Sequence, residues 1–204
     1  MDTKAHWEHI YQTQLPTQVG WYQAHPAISL GFIRRANIQP TDHIIDVGGG
    51  ASTLVDDLLA AGFRSVTVLD ISTQALQFAR QRLGPQADHV TWIEADITQA
   101  ALPQHAYAVW HDRAVFHFLT HPGDRQRYIE TMRQAVRVGG HIIIATFALD
   151  GPRQCSGLAV ARYSPASLHA ELGQGFELVD SAGEAHHTPW GTEQKFVYGY
   201  FRRN

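Results

Sequence analysis

Cysteine and long apolar runs are both scarce in this sequence of 204 residues. The single cysteine, Cys155, excludes an internal disulfide and is consistent with a reducing compartment. No stretch approaches the roughly 20 apolar residues of a membrane-spanning helix, and residues 1–8 lack the apolar centre of a signal peptide. We therefore expect a cytoplasmic protein with no membrane partner.

Positive and negative charges are nearly balanced, since the formal net charge is only -3. This balance provides no basic surface of the kind that binds nucleic acid, so we expect no nucleic-acid partner. The 13 histidines are scattered along the chain, and we expect no metal site.

The length of the chain and its 44% of hydrophobic residues suffice for one good-sized globular domain and hardly for two. The sequence contains no internal repeat and no low-complexity segment. We expect a single domain over residues 1–204, with a helical cap at 1–38 and an α/β core at 39–204. Its oligomeric state stays open between a monomer and a homodimer.

Strand-like and helical patterns alternate from His43 onward, which is typical of a parallel sheet with helices on both faces. Strands are predicted at about 43–47, 65–70, 90–95, 106–111, 139–147, 176–182 and 193–202, and helices at about 52–62, 73–83, 124–138 and 164–172. In this interpretation Gly139-Gly140 ends the helix at 124–138, and a loop from Gly183 to Gly191 joins the last two strands.

The stretch from His43 to Thr53 combines a short apolar strand, a glycine-rich turn and the start of a helical pattern. Gly48, Gly49 and Gly50 allow the backbone to approach a ligand closely and to deliver it to a helix N-terminus. The carboxylate of Asp46 stands immediately before the turn. We interpret the stretch as a nucleotide-binding turn rather than an ordinary glycine-rich surface turn.

Acidic residues also end the next two predicted strands. Asp70 lies about 20 residues after Gly50, where a doubly wound fold places the acid that binds ribose hydroxyls. Asp96 ends the third strand, where the alternative is a surface acid that starts a loop. Three acids at successive strand ends favour a nucleoside site over a surface turn.

The spacing of the glycines argues against a dinucleotide, because Thr53 stands where a G-x-G-x-x-G fingerprint needs its third glycine. The string from Asp46 to Gly50 instead resembles the D-x-G-x-G turn of the class I S-adenosylmethionine-dependent methyltransferases. In that family the turn wraps the methionine part of the cofactor, and an acid at the position of Asp96 meets the adenine amino group.

This resemblance implies a fold, a cofactor and a set of ligands. We expect an α/β, doubly wound, Rossmann-like sheet of seven strands, mostly parallel with an antiparallel last strand, and a helical N-terminal cap. The implied cofactor is S-adenosyl-L-methionine. Its expected ligands are Asp46, Gly48, Gly49, Gly50, Asp70, Ile71, Asp96, Ile97 and His111.

Residues 106–165 carry a second resemblance, to the thiopurine S-methyltransferase group. That group has a Trp-Asp-Arg core and a Pro-Gly-Asp-Arg-x-x-Tyr helix start, which are matched here by Asp112-Arg113 and by the stretch from Pro122 to Tyr128. His111 is inserted beside the tryptophan-aspartate pair, so a purine acceptor is not implied. The resemblance favours a sulfur or other soft nucleophile as the acceptor.

Three residues at or shortly after the end of the predicted fourth strand are candidates for catalysis. Arg113 could stabilise a thiolate or hold an anionic part of the substrate, and the alternative is an ion pair with a nearby acid. His111 and His117 could take a proton near neutral pH. For His117, which stands between two phenylalanines, a buried core histidine is the alternative.

Several residues are candidates for the acceptor pocket. Trp21 and Tyr22 lie in an N-terminal loop, where exposed aromatic residues often bind ligands. The predicted substrate-binding residues are Trp21, Tyr22, Arg113, Cys155, Arg162, His187 and Trp190. We interpret Trp7 and Tyr11, which recur at helical spacing, as ordinary packing residues.

The expected function is methyl transfer from S-adenosylmethionine to a small molecule, with a thiol or other soft nucleophile as the acceptor. One alternative is a protein lysine or amine N-methyltransferase, which would need an open acidic groove instead of a closed aromatic chamber. The other alternative is a binding module that senses a nucleoside without turnover.

Overall fold

The computed structural model describes residues 3–204, which contain nine strands and six α-helices. The strands are β1 (His43–Val47), β2 (Val66–Asp70), β3 (Val90–Glu94), β4 (Tyr107–Arg113), β5 (Val136–Phe147), β6 (Gln154–Cys155), β7 (Leu158–Ala159), β8 (Phe176–His187) and β9 (Glu193–Arg203). The helices are α1 (Thr3–Thr13), α2 (Ala27–Arg35), α3 (Leu54–Ala60), α4 (Thr73–Leu83), α5 (Pro122–Ala135) and α6 (Pro165–Leu172).

Seven of the strands form one sheet in the order β3-β2-β1-β4-β5-β9-β8, while β6 and β7 form a small hairpin. The strand β9 pairs antiparallel with both of its neighbours, and the pairings from β3 to β5 are parallel. This arrangement confirms the predicted doubly wound sheet with its antiparallel last strand.

Two apolar layers cover the faces of the sheet, and successive residues of one strand enter different layers. Ile44 and Val109 belong to one layer, whereas their neighbours Ile45 and Trp110 belong to the other. This alternation follows from the period of two in a β-strand. Because helices cover both faces, the polar carboxyl edge of the parallel strands is where a ligand can approach.

The helix predicted at 124–138 ends earlier than expected. The structure ends α5 at Ala135 and begins β5 at Val136, so Gly139-Gly140 lies inside a strand instead of ending the helix. The β-branched Val136 and Val138 favour the extended conformation. The glycines accommodate a bulge, since Tyr107 pairs with Val136 but Val109 pairs with His141.

The loop predicted from Gly183 to Gly191 is largely wrong. The strand β8 continues to His187, and its last residue pairs with Glu193 of β9. Gly183 is an ordinary strand residue opposite Val197. A glycine inside a strand weakens it without ending it when the partner strand is continuous.

The predicted helical cap at 1–38 corresponds to α1 and α2, and its first two residues lie outside the described range. Helix α1 lies against the start of α4. Both carboxylate oxygens of Glu8 accept hydrogen bonds there, from the backbone N–H groups of Thr73 at 2.7 Å and Gln74 at 3.1 Å. Burial alone would raise the pKa of Glu8, but these hydrogen bonds together hold it below its ordinary value.

Replacing Glu8 by alanine should loosen the attachment of α1. The substitution removes an acceptor from a helix N-terminus, where such a loss costs about 1 kcal/mol. Unfolding in urea would measure this loss, with Glu130→Ala as an exposed control on α5. An equal effect of both substitutions would contradict the assigned role of Glu8.

Among residues 3–204, no helix is both long and apolar enough to cross a lipid bilayer.

Candidate functional site

Two neighbouring cavities lie at the carboxyl edge of the parallel strands. The larger has a volume of about 120 Å³ and the smaller a volume of about 50 Å³. Tyr11, Trp21, Gly48 and Arg113 border both cavities, so the two are parts of one site. The site lies where the chain crosses from one side of β1 to the other, which is the usual ligand position in open α/β sheets.

The glycine turn after β1 forms a wall of this site. Gly48 has a φ of +66°, and a Cβ added there would lie 2.0 Å from Cγ2 of Val115. Gly50 has a φ of +28°, and its added Cβ would lie 2.5 Å from Oδ2 of Asp70. A side chain at either position would clash with Val115 or Asp70, so only glycine fits at these two positions of the turn.

Gly48→Ala should destabilise the protein more than Gly62→Ala. Both positions have positive φ, so both variants carry backbone strain, but a Cβ at Gly62 would meet nothing within 4 Å. The contact with Val115 should add about 1–3 kcal/mol of overpacking to the Gly48 variant. Urea unfolding of the two variants measures this difference, and equal losses would contradict the close approach.

Asp70 is buried at the end of β2 and borders the larger cavity. Its Oδ1 accepts a hydrogen bond from the backbone N–H of Ser72 at 2.8 Å. Burial, reinforced by the negative charges of Asp46 and Glu8, raises the pKa of Asp70 to about 7. Additional hydrogen-bond donors, such as the two hydroxyls of a ribose, would therefore stabilise the ionised form of this carboxylate strongly.

Ile71, Asp96 and Ile97 border the same cavity beside Asp70. Oδ1 of Asp96 accepts hydrogen bonds from both the backbone N–H and the hydroxyl of Thr98, each at 2.8 Å. These bonds hold the loop after β3. The residues predicted to surround an adenosyl group therefore lie together, although they come from two separate strand ends.

Asp46 and His111 form a buried pair beside the smaller cavity. Oδ1 of Asp46 is 2.7 Å from Nδ1 of His111, and Nε2 of His111 is 2.8 Å from Oγ of Ser29. Both ring nitrogens of His111 are thus engaged, so the predicted role in proton transfer is not supported. The other oxygen of Asp46, Oδ2, is buried without a hydrogen-bond partner among the described residues.

Arg113 reaches the site from the end of β4, and each of its three guanidinium nitrogens has a hydrogen-bond partner. It donates to the hydroxyl of Tyr198 and to the carbonyl of Trp21, each at 2.9 Å, and lies 3.3 Å from Oε2 of Glu184. Its Cζ also lies 4.4 Å from the ring centroid of Phe196. An ion pair is therefore present, but its acid is Glu184 of β8 and not a sequence neighbour of Asp112. The predicted catalytic role of Arg113 is not supported.

The predicted catalytic role of His117 is wrong. The residue is fully buried and borders neither cavity. Its Nδ1 accepts a hydrogen bond from the backbone N–H of Phe147 at 3.3 Å. Burial, together with the charge of Arg113, lowers the pKa of His117 to about 3. The imidazole therefore stays neutral. The structure supports the alternative of a core histidine, but not a fully satisfied one, since Nε2 has no hydrogen-bond partner among the described residues.

The motif residues Asp112 and Tyr128 support the fold behind the site. Asp112 accepts hydrogen bonds from the backbone N–H groups of Val115 and Phe116 and from the hydroxyl of Tyr128, the last at 2.6 Å. Burial raises the pKa of Asp112 to about 6. Because the carboxylate holds the loop that brings Val115 against Gly48, these residues shape the glycine turn from behind.

The structure divides the predicted substrate-binding residues into two groups. Trp21, Tyr22, Arg113 and Cys155 border the cavities. Arg162 does not, since its guanidinium donates to the carbonyls of Leu149 and Gly151.

The predictions of His187 and Trp190 as pocket residues are also wrong. His187 ends β8 with an exposed side chain, 4.0 Å from a carboxylate oxygen of Glu193. Trp190 lies in the turn after β8 and is 62% exposed. Both predictions depended on the loop from Gly183 to Gly191, most of which is strand.

Aromatic side chains that were interpreted as packing residues form much of the wall. Trp7 and Tyr11 of α1 border the larger cavity together with Trp21 and Phe118. The ring centroid of Trp7 lies 5.7 Å from that of Trp21 and 5.0 Å from that of Phe118. The helical spacing of Trp7 and Tyr11 indicated one shared face but not what that face covers.

The geometry fits the cofactor that the resemblance implies. The larger cavity offers the carboxylate of Asp70 for a ribose and the apolar side chains of Ile71 and Ile97 for a flat base. The smaller cavity combines the glycine turn with the unpartnered oxygen of Asp46, which would gain a partner from a cationic amino group. Within residues 3–204, no three His, Cys, Asp or Glu side chains are grouped as metal ligands.

A comparison with known families finds a match that covers the first four strands of the sheet. Residues 44–140 match the family described as Methyltransferase domain. The eEF1A lysine and N-terminal methyltransferase of Mus musculus is 22% identical over 149 residues, which are 70% of this chain and 21% of that protein. The chain thus spans about a fifth of the length of the curated relatives it matches.

Solved structures share the whole architecture at low sequence identity. A structure from work on the conversion of a disulfide bond into a thioacetal group during echinomycin biosynthesis has a TM-score of 0.77 and 18% identity, covering 98% of this chain and 92% of that one. The Burkholderia thailandensis 1,6-didemethyltoxoflavin-N1-methyltransferase, solved with 1,6-didemethyltoxoflavin and S-adenosylhomocysteine, has a TM-score of 0.74 and 16% identity, covering 98% and 87%.

The match of residues 44–140 supports the predicted methyltransferase domain and, with it, S-adenosylmethionine as the cofactor. The solved structures show that the fold is shared. They do not identify the acceptor.

Proposed function

We propose, with the methyltransferase domain at residues 44–140 as the premise, that this chain methylates a small molecule at a thiol or other soft nucleophile. Bound S-adenosylmethionine supplies an electrophilic methyl group on its sulfonium. The protein then has to hold the acceptor in line with that methyl group and keep water away.

The aromatic wall of the larger cavity carries the proposal of a small acceptor. Trp7, Trp21 and Phe118 pack edge to face beside the cofactor residues, and α1 covers this side of the site. A peptide acceptor would need an open groove that admits a chain segment. The flat rings instead suit a small apolar molecule, which they would bind by contact area and shield from water.

The proton-accepting groups around the cavities favour a soft nucleophile. Burial raises the pKa of Cys155 to about 11 and raises that of Tyr11 further, so neither acts as a base near neutral pH. Asp46 and His111 are hydrogen-bonded to each other. Asp70 borders the larger cavity, where we assign it to the ribose of the cofactor. An acceptor that ionises by itself, such as a thiol, needs no base from the protein.

Two similarities support sulfur as the acceptor atom. Residues 106–165 resemble the thiopurine S-methyltransferase group, and the echinomycin-related structure with the same fold comes from work on a disulfide and its thioacetal product. Within that segment, Asp112 and Tyr128 have structural roles in this chain.

A protein lysine acceptor is the second candidate. It is favoured by the curated relatives, which are methyltransferases of eEF1A lysine and N-termini. A lysine amine is protonated at neutral pH, so its methylation would need a base or a strongly desolvated amine. His111 offers no free ring nitrogen as that base, which argues against this candidate.

A turnover assay tests the proposal. The purified protein would be incubated with S-adenosylmethionine and a panel of aromatic thiols, selenols, amines, halides and protein extracts, and S-adenosylhomocysteine would be measured. We expect turnover with thiols, at rates that follow the pKa of each thiol because the thiolate is the reacting form. Turnover with protein extract alone would favour the lysine candidate, and binding without any turnover would favour a nucleoside sensor.

A further inference from the structure

Three buried polar side chains form a continuous hydrogen-bonded chain behind the smaller cavity. Ser29 of α2 contacts Nε2 of His111 at 2.8 Å, and Nδ1 of His111 contacts Oδ1 of Asp46 at 2.7 Å. None of the three is more than 2% exposed. Burying three polar groups costs free energy unless hydrogen bonds hold them in a defined arrangement.

The order of these groups is that of a hydrolase triad, but nucleophilic chemistry is excluded by their position. Ser29 has no exposed surface and borders neither cavity, whereas Asp46 and His111 border the smaller one. A substrate carbonyl therefore has no route to the serine. Of the three groups, the carboxylate of Asp46 faces the cavity, whereas a hydrolase needs its serine there.

The carboxylate of Asp46 decides which groups donate along this series of hydrogen bonds. An ionised carboxylate only accepts, so His111 donates its Nδ1 proton to Oδ1 of Asp46. The remaining ring nitrogen, Nε2, shares its hydrogen bond with the hydroxyl of Ser29, which can donate or accept. Asp46 thereby fixes the tautomer of His111, and Ser29 fixes the orientation of its ring, as outer partners do for histidines at metal sites.

The second oxygen of Asp46 is left for a ligand. Oδ2 is buried without a hydrogen-bond partner among the described residues, and a Cβ added to Gly49 would lie 2.5 Å from it. The free oxygen therefore lies directly under the glycine turn. A buried carboxylate oxygen with no donor is expected to bind a cation.

We propose that Ser29 and His111 are positioning residues that hold Asp46 so that Oδ2 receives the cationic amino group of the cofactor's methionine part. This inference rests on the proposed function, since it assumes an S-adenosylmethionine site. It assigns Ser29, a residue of the N-terminal cap, to the recognition of the amino acid end of the cofactor.

Two ligands that differ only in that end test the proposal. S-adenosylhomocysteine carries the amino group, whereas 5′-methylthioadenosine keeps the adenosyl group and sulfur without the amino acid. Calorimetric titration of Ser29→Ala should show S-adenosylhomocysteine affinity reduced about tenfold and 5′-methylthioadenosine affinity almost unchanged. Asp46→Asn should show the same selectivity with a larger loss.

Two further variants separate positioning from a structural effect. Ser29→Thr keeps a hydroxyl and should restore most of the S-adenosylhomocysteine affinity. Thr146→Val removes another fully buried hydroxyl, in β5 and away from the cavities, and should leave both affinities unchanged. Equal losses of both ligands in Ser29→Ala would overturn the proposal, because a merely structural defect does not distinguish them.

The unmodified protein provides a test that does not depend on variant folding. An analogue of S-adenosylhomocysteine whose amino group is replaced by hydrogen should bind at least about tenfold more weakly. Equal binding of the analogue would overturn the role of Asp46. If the unmodified protein bound neither nucleoside, the proposed function would fail with it, whereas nucleoside binding without amino-group selectivity would overturn this inference alone.

Discussion

Asp70→Asn is expected to stabilise the folded protein at pH 8 while weakening its binding of S-adenosylhomocysteine. The pKa of Asp70 is raised by burial from 3.8 to about 7, so keeping it charged in the folded state costs free energy. A shift of this size corresponds to at most about 4 kcal/mol. Asparagine keeps an acceptor for Ser72 and removes the charge, so part of this cost should be regained.

The direction of the pH dependence follows from the raised pKa. The wild-type carboxyl is neutral in the folded state below pH 4, and stability is lost as the pH rises towards the folded pKa of about 7. The advantage of the asparagine variant should therefore grow between pH 4 and 7 and stay constant above. Urea unfolding at pH 5 and 8 would measure it, with the exposed Asp88→Asn as a control.

The affinity of the wild type for the cofactor should depend on pH in the opposite direction to its stability. The ionised carboxylate accepts hydrogen bonds from ribose hydroxyls better than the neutral acid does, so affinity for S-adenosylhomocysteine should fall as the pH drops below 7. The loss approaches about tenfold per pH unit if only the ionised form binds. A stability gain in Asp70→Asn that was the same at pH 5 and 8 would contradict the assigned cost of charging Asp70.

Arg113→Met is expected to cause the largest loss of stability. The substitution keeps a long side chain but leaves Glu184, which is largely buried, without its cationic partner. Removing one member of a buried ion pair typically costs about 3–5 kcal/mol. Turnover should fall more than S-adenosylhomocysteine affinity, because Arg113 also holds the backbone of Trp21 at the aromatic wall.

A double-mutant cycle separates the lost pair from lost packing. Arg113→Met combined with Glu184→Gln should recover part of the stability, since no unpaired charge is left. The exposed pair of Lys195 and Asp150 provides the control, and Lys195→Met should have no measurable effect. An additive double variant would mean that Glu184 does not depend on Arg113.

Local patterns were sufficient to predict that the glycine turn and the acids at the next two strand ends lie at one edge of the sheet. The glycines at 48–50 follow a short strand, and Asp70 and Asp96 follow the next two strand ends. Since the carboxyl ends of neighbouring parallel strands meet at one edge, sequence order alone brings these residues together. Their roles in cofactor binding stay predictions until a ligand is observed.

The partners of the polar residues could not be predicted in the same way. Arg113 pairs with Glu184 across 71 residues, and His111 contacts Ser29 across 82. No local spacing connects such positions, because the sheet order decides which elements meet. His117 was misassigned for the related reason that a histidine near a strand end can point into the core as well as into a site.

The pocket wall was misjudged where the prediction depended on element boundaries. His187 and Trp190 were assigned to the pocket through a loop that is mostly strand, whereas Trp7 was assigned to packing although it borders the larger cavity. A helical pattern identifies the apolar face of α1 without indicating which surface that face covers.

A crystal structure of the protein with S-adenosylhomocysteine would test the central claim most directly. The account predicts ribose hydroxyls within hydrogen-bond distance of Asp70, the base beside Asp96 and Ile97, and the amino group on Oδ2 of Asp46. A nucleoside bound elsewhere, or a carboxylate of Asp70 that contacts no part of the ligand, would contradict the assignment of this edge as a methyl-transfer site.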